Sequence, residues 1–155
     1  MHKVTQIAEY GIHVILHIAN RNHHGHKIVT AQEISDSQNI SLNYTQQILM
    51  KLRQGGLVES IRGPKGGFYL KKSPHEITLR MILELTEGET AEIICEKNPI
   101  KQEFCSLEAN CYLKSVWFGL KDVINEYLEK VTIEDLLNNL INKNHVPLIN
   151  MPSSH

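Results

Sequence analysis

The sequence predicts a mainly α protein with one small β-hairpin: two short helices joined by a tight turn, the hairpin after them as a wing, and a long C-terminal helix suited to dimerisation. Three observations predict it. Two capped amphipathic segments flank the turn Asn39-Ile40. Two short apolar runs then alternate like strands on either side of Gly63-Pro64-Lys65-Gly66-Gly67. From Leu113 to Val131, apolar residues recur alternately four and three apart, which is a heptad seam on one helix.

At 155 residues the chain is long enough for one domain with a real core, and its hydrophobic fraction of 41% and charged fraction of 21% are ordinary for a globular protein. No apolar run approaches the ~18 residues of a membrane span, and MHKVTQIAEYG lacks the apolar stretch of a signal peptide. The expectation is a cytoplasmic protein with no membrane partner, in a compartment where thiols stay reduced. The net charge of −1 conceals an asymmetry: residues 1–80 carry ten Lys/Arg against five Asp/Glu, and residues 81–155 carry six against twelve. A basic first half suggests that this half meets a polyanion.

Ile7, Gly11, Val14, Ile15 and Ile18 fall at helical spacing, so residues from about 3 to 20 form the first helix. Its opposite stripe, Gln6, Glu9, His13 and His17, reads as a solvated polar face, although Glu9 and His13 lie four apart and such a pair can ligate metal. Asn20 to His26 is a polar turn whose histidines, His23, His24 and His26, read as an exposed connector rather than a metal site. Thr30-Ala31-Gln32-Glu33 is a capping box that opens a short helix through about Ser37. Ser41 caps the next, from about 42 to 54, which stops at Gly55-Gly56. Tyr44, Ile48, Leu49 and Leu52 face inward, leaving Asn43, Gln46, Gln47, Lys51 and Arg53 on the outer face. This is helix-turn-helix grammar, and amides near the start of the second helix can pair bidentately with adenine edges.

Leu57 to Arg62 and Phe68 to Leu70 read as strands, so the hairpin carrying Arg62 and Lys65 at its tip completes a winged helix-turn-helix. An arginine there can enter a narrow, negative minor groove, and Lys71 and Lys72 add phosphate-contacting charge. The glycine-rich tip is not a phosphate cradle, because it joins two strands and its spacing fits neither a P-loop nor a dinucleotide fingerprint. The candidate DNA-contacting set is Ser41, Asn43, Tyr44, Gln46, Gln47, Lys51, Arg53, Arg62 and Lys65. Double-stranded DNA is the implied partner, and two copies paired by the seam would read a palindromic operator. No nucleophile–base pair or cofactor fingerprint is present, which argues against an enzyme.

Thr78 caps a further short helix from about 79 to 86, ended by Gly88, and Thr132 caps a last one from about 133 to 142. Between them lie all three cysteines, Cys95, Cys105 and Cys111, spaced C-x9-C-x5-C in CEKNPIKQEFCSLEANC. Three soft thiolates on one segment suit an iron–sulfur cluster, Zn or Cu(I). Three cannot close a set of disulfides, and they leave a four-coordinate site one ligand short. The remainder would come from elsewhere in the chain, from a second subunit or from an exogenous group.

The stretch ISLNYTQQILMKLRQGGLVESIRGPKGGFYL, the opening AEYGIHVILHIA and the three-cysteine segment together resemble the IscR/NsrR family of winged-helix iron–sulfur transcription regulators. The resemblance runs from about Met1 to Leu140. It implies a homodimer with a long crossing helix, carrying a 2Fe–2S or 4Fe–4S cluster and regulating promoters according to cluster state. In one branch a histidine three residues after the last cysteine is the fourth ligand; Lys114 stands there, and an ammonium is a poor ligand. In the nitric-oxide-sensing branch, a carboxylate just before Tyr-Gly in the other subunit's first helix completes the set, and here that position is Glu9, before Tyr10-Gly11. The resemblance thus implies Cys95, Cys105, Cys111 and, across the dimer, Glu9 as ligands, with His13 one turn along as a competitor. It implies a repressor sensing nitric oxide, or redox or iron–sulfur status, at a cluster whose weak fourth ligand leaves iron open to a small effector.

The expected organisation is a DNA-binding domain over 1–88, a cysteine-bearing cluster loop over 89–111, the dimerisation helix and a short terminal helix over 112–143, and a flexible tail over 144–155. Two alternatives stand beside it. One keeps the DNA-binding module with redox-active or Zn-binding cysteines and no cluster. The other is a winged helix used for protein interaction without DNA.

Overall fold

A computed structural model of the chain describes residues 5–88 and 112–142. The expected cysteine loop, with Cys95, Cys105 and Cys111, and the expected tail lie outside the described residues. Helix α1 (Gln6–His23) buries the stripe Ala8, Gly11, Val14, Ile15, Ile18 and Ala19. It runs three residues past its expected end at about 20, because the polar residues that read as a turn serve the helix terminus instead. The His24 amide and ring Nδ1 both reach the Asn20 carbonyl, at 3.2 and 2.8 Å, and Arg21 and His23 place basic groups at the C-terminal end of the macrodipole.

Helix α2 (Ala31–Gln38) starts where the Thr30 hydroxyl accepts the Glu33 amide at 3.1 Å, and it ends at Asn39 in the left-handed conformation, φ 52°. Ser41 then caps α3 (Leu42–Gln54) by accepting the Tyr44 amide at 3.2 Å. The α2–α3 pair is the expected helix-turn-helix. One correction concerns α1. His17, expected on a solvated face, is only 17% exposed, with Nε2 3.4 Å from Glu33 Oε1 and Nδ1 3.2 Å from Ser37 Oγ. Arg21 Nε lies 2.6 Å from the same Glu33 oxygen. These polar groups bind α1 to α2.

The hairpin pairs β1 (Val58–Ile61) with β2 (Gly67–Leu70) antiparallel, Val58 opposite Leu70 and Ile61 opposite Gly67. An isolated bridge outside the hairpin pins it: Val29, just before α2, exchanges backbone bonds with Phe68 at 2.9 and 2.7 Å. The wing is therefore fastened to the helix-turn-helix by backbone. A 3-10 turn (Pro74–Glu76) follows, closed by a Ser73/Glu76 capping box. The Ser73 backbone N–H and its hydroxyl hold the exposed Glu76 carboxyl below the usual carboxylate range.

Helix α4 (Leu79–Glu87) lies between α1 and α3, with Ile82, Leu83 and Thr86 buried. Two glycines admit it. A Cβ at Gly11 would come 2.9 Å from Thr86 Cγ2, and one at Gly55 would come 2.2 Å from Leu85 Cδ1. The amide of Thr5 donates to the Glu87 carboxylate, which ties the start of α1 to the end of α4.

Helix α5 (Tyr112–Lys130) leans on α4, joined by Arg80, which reaches Glu84 at 2.7 Å and Glu129 at 3.7 Å. The expected seam was Leu113, Trp117, Leu120, Ile124, Tyr127 and Val131, and the structure divides it between two surfaces. Val131 is buried and Ile124 half-buried, while Trp117, Leu120 and Tyr127 face outward together with Val116 and Val123. Leu113 is not among the side chains described. The outward row Val116, Leu120, Val123, Tyr127 keeps the four-three-four spacing on a helix about 28 Å long.

Helix α6 (Ile133–Asn142) does not form a separate unit with α5. The chain returns along the stretch before α4, with Leu79 N to Val131 O and Ile133 N to Ile77 O both at 2.9 Å. Ile133 and Leu137 enter the same core as Val14, Ile15, Ile18, Ile34, Ile48, Leu49, Leu52 and Ile82. The expected boundary at 88 therefore separates two pieces of one core. If so, Ile133→Ala, well outside 1–88, will destabilise the whole helix-turn-helix by about 2–5 kcal/mol. Chemical denaturation followed by far-UV circular dichroism reads the effect; a loss under ~0.5 kcal/mol would place α6 outside the cooperative unit.

Candidate nucleic-acid interface

Thr45, Ile48, Leu49 and Leu52 turn α3 inward. Leu42, Asn43, Gln46, Gln47, Met50, Arg53 and Gln54 are exposed on the other side. Helix α3 contains no carboxylate, so nothing on it repels phosphate. Asn43, Gln46 and Gln47 make no side-chain hydrogen bond to other described residues, which leaves both the donor and the acceptor of each amide available.

Other residues expected on this face have different positions. Ser41 stands at the start of α3 with its hydroxyl on the Tyr44 amide. Tyr44 is half-buried and meets Tyr10 of α1 edge to face, ring centroids 5.9 Å apart. These residues line one end of an open groove of about 540 Å³ that also takes in Gln6, Asn43 and Gln47. Lys51 is drawn off the outer face. It is half-buried, and its ammonium donates to the Thr86 carbonyl of α4 at 3.4 Å. Arg53 remains exposed at the far end of the helix, with Nη1 donating to Ser60 Oγ of β1 at 3.2 Å. The helix thus presents amides at its centre and keeps its cations at one end.

The wing tip carries the freer charge. Arg62 and Lys65 are exposed and have no ion pair with another described residue, and Gly66 N–H closes the tip on the Gly63 carbonyl at 2.9 Å. Lys71 lies 3.6 Å from Glu59 across the hairpin, both largely solvated, so that pair is weak and remains open to a phosphate.

Glu9 and His13 are exposed one turn apart on α1, and the Glu9 carboxylate makes no hydrogen bond or ion pair with another described residue. Its neighbour Tyr10 is the residue that touches Tyr44. The cysteines expected to join Glu9 fall outside the described residues, and among those described no three His, Cys, Asp or Glu side chains converge on a metal position. Sequence reasoning missed Leu42 and Met50 on the reading face, and it missed Tyr10 against Tyr44. The signal for the first was their register: Leu42, Gln46 and Met50 are four apart and form one row.

The family model described as Rrf2, iron-dependent transcriptional regulator, matches residues 4–139. The chain is 32% identical over 137 residues to the HTH-type transcriptional regulator IscR of Pectobacterium carotovorum, covering 88% of this chain and 80% of that protein. Among solved structures, T. potens IscR superposes with a TM-score of 0.70 at 28% identity, covering 92% of this chain and 91% of that one. CymR, described as the global cysteine regulator of B. subtilis, superposes with a TM-score of 0.68 at 30% identity, covering 89% and 98%. These proteins are winged-helix transcriptional regulators, not enzymes. Among the described residues, no helix is long and apolar enough to cross a membrane.

The geometry separates cations that would face DNA from one that would not. Replacing Arg62 and Lys65 by Ala should lower the slope of log K against log salt by about one for each residue, and by the same amount on any duplex. Lys51→Ala should leave that slope nearly unchanged, since its ammonium is held by Thr86. Fluorescence anisotropy at several salt concentrations checks both, and an unchanged slope in the Arg62/Lys65 variant would remove the wing from the interface.

Proposed function

The chain belongs to the Rrf2 family of transcriptional regulators, and we propose that it is a dimeric repressor whose cysteines hold an iron–sulfur cluster and report its state to an operator-binding face. The observation that carries this reading is where the three-cysteine segment joins the fold. It follows directly on α4, whose last turn is bonded to both functional helices: Thr86 O takes the Lys51 ammonium of α3, and Glu87 takes the Thr5 amide before α1.

The donor set fits the group. Cys95, Cys105 and Cys111 would supply three thiolates, and Glu9 of the second subunit a carboxylate that is exposed and unengaged among the described residues. His13, one turn along the same face, is the competing fourth ligand. A bound cluster, 2Fe–2S or 4Fe–4S, supplies iron reactive toward nitric oxide or oxidants. The protein's own part is mechanical. Glu9 adjoins Tyr10, Tyr10 packs on Tyr44, and Tyr44 stands in the first turn of the recognition helix. A pull on Glu9 or on the end of α4 would therefore act on two of the contacts that hold α3. Dimerisation through the exposed Val116, Leu120, Val123 and Tyr127 row would set two such helices on a palindromic operator.

A second reading keeps the DNA-binding function and uses the cysteines as redox thiols without a cluster. It is favoured by the likeness to CymR, the global cysteine regulator of B. subtilis.

Protein purified without oxygen decides between them. The cluster reading expects iron, acid-labile sulfide and visible charge-transfer absorbance, all lost in Cys105→Ser, and operator affinity that falls on exposure to nitric oxide. Colourless protein without iron that still binds DNA in a thiol-dependent way would establish the second reading. Glu9→Ala should leave the fold intact and make the cluster more labile to oxygen. For the dimer, Leu120→Asp combined with Val123→Asp should give a monomer by native mass and lower affinity for a palindrome by at least about tenfold, since each half-site then binds alone.

A further inference from the structure

The outward face of α3 has a chemical bias that bears on which DNA it reads, and the inference drawn from it rests on the DNA-binding function proposed above. Two rows run along this face. One is Leu42, Gln46, Met50, and the other is Asn43, Gln47. Leu42 and Met50 are exposed, Met50 to 56%, although they are apolar and sit among amides on a helix whose other large apolar side chains are buried or half-buried. In the free protein more than half of Met50 stands in water.

The first two turns of this face lack a cation of the kind that reads guanine. Guanine is read in the major groove by arginine or lysine on O6 and N7, adenine by asparagine or glutamine on N6 and N7, and thymine by apolar contact with its C5 methyl. Helix α3 has two cations. Lys51 is held by the Thr86 carbonyl, and Arg53 lies in the last turn with its guanidinium on Ser60. Over the first two turns, where recognition helices approach base edges, only amides and apolar tips face outward. From Asn43 to Met50 is a rise of about 10 Å, or about three base pairs.

We propose that α3 selects A·T base pairs at the centre of each half-site, with Asn43, Gln46 and Gln47 on adenine edges and Met50 packed against a thymine methyl. The wing agrees with this independently. Arg62 and Lys65 would enter a minor groove that is narrowest and most negative over A·T tracts.

The test is a selection of binding sites from a random duplex library by the full-length dimer prepared without oxygen, followed by single-base analogues in the site obtained. The expected motif has A·T pairs at the centre of each half. Replacing the central thymine by uracil removes only its methyl and should weaken wild-type binding about fourfold, the worth of one buried methyl group. Met50→Ala should bind the thymine site as weakly as wild type binds the uracil site and should no longer distinguish the two. Circular dichroism confirms that this exposed substitution leaves the fold unchanged. A motif with G·C pairs at those positions overturns the A·T assignment and leaves DNA binding standing. Full thymine–uracil discrimination in Met50→Ala overturns the role of Met50. Salt-insensitive binding with no shared motif overturns the DNA-binding function itself.

Discussion

Helix α4 packs between α1 and α3 against two positions, Gly11 and Gly55, that carry no side chain. A Cβ at Gly55 would displace the Leu85 side chain, whose methyl carbons lie 2.2 and 2.3 Å from that point, and one at Gly11 would press on Thr86 Cγ2 at 2.9 Å. With those side chains absent, the helices approach closely enough for backbone and side-chain bonds to form at the end of α4. Closely packed interiors have two discrete arrangements more readily than a continuum of small deformations. The recognition helix is therefore held from behind by the packing of α1, α2 and α4, not by its own exposed residues.

Lys51 shows what this constraint does to a surface helix. By periodicity it belongs beside Gln47 and Gln54 on the outer face. Its long stem lets the ammonium reach back to Thr86, where a helix C-terminus offers a carbonyl and a partial negative charge. The same bond that withdraws a phosphate contact gives α3 a polar tether to α4. Tyr44 is similar: it stands in the first turn of the recognition helix, yet its ring is taken up by Tyr10. Among the side chains left outward on α3 are Asn43, Gln46 and Gln47, which make no side-chain hydrogen bond to other described residues.

The helix-turn-helix, the hairpin and the long final helices were legible because each is written in local chemistry: the caps Thr30, Ser41, Thr78 and Thr132, the turn at Asn39, and the glycines of the wing. What was not legible is non-local. Nothing around Val29 marks it as a partner of Phe68, since a single bridge has no period. Ile133 and Leu137 read as one face of a helix, but periodicity does not name the core that the face joins. The α5 seam illustrates the same limit. Apolar residues cover two adjacent sides of that helix, so spacing alone could not separate Ile124 and Val131, which turn toward the domain, from Val116 and Val123, which turn away. Met50 shares the row of Leu42 and Gln46, but an apolar side chain on a polar face carries no local mark of what it meets.

Separating charge from base reading has a consequence for control. Phosphate contacts from Arg62, Lys65 and the lysines after β2 would depend on the wing, which is fastened through Val29 to the start of α2. Base reading would depend on α3, which is held at its back by α1, α2 and α4. A disturbance at the end of α4, where Thr86 holds Lys51, would bear on selectivity before it bore on general affinity for DNA. Nonspecific binding through the wing would persist while the preference for the operator declined. For a regulator competing against a genome of nonspecific sites, occupancy follows the ratio of the two affinities rather than either alone. A small rotation of α3 would then empty an operator without releasing the protein from DNA.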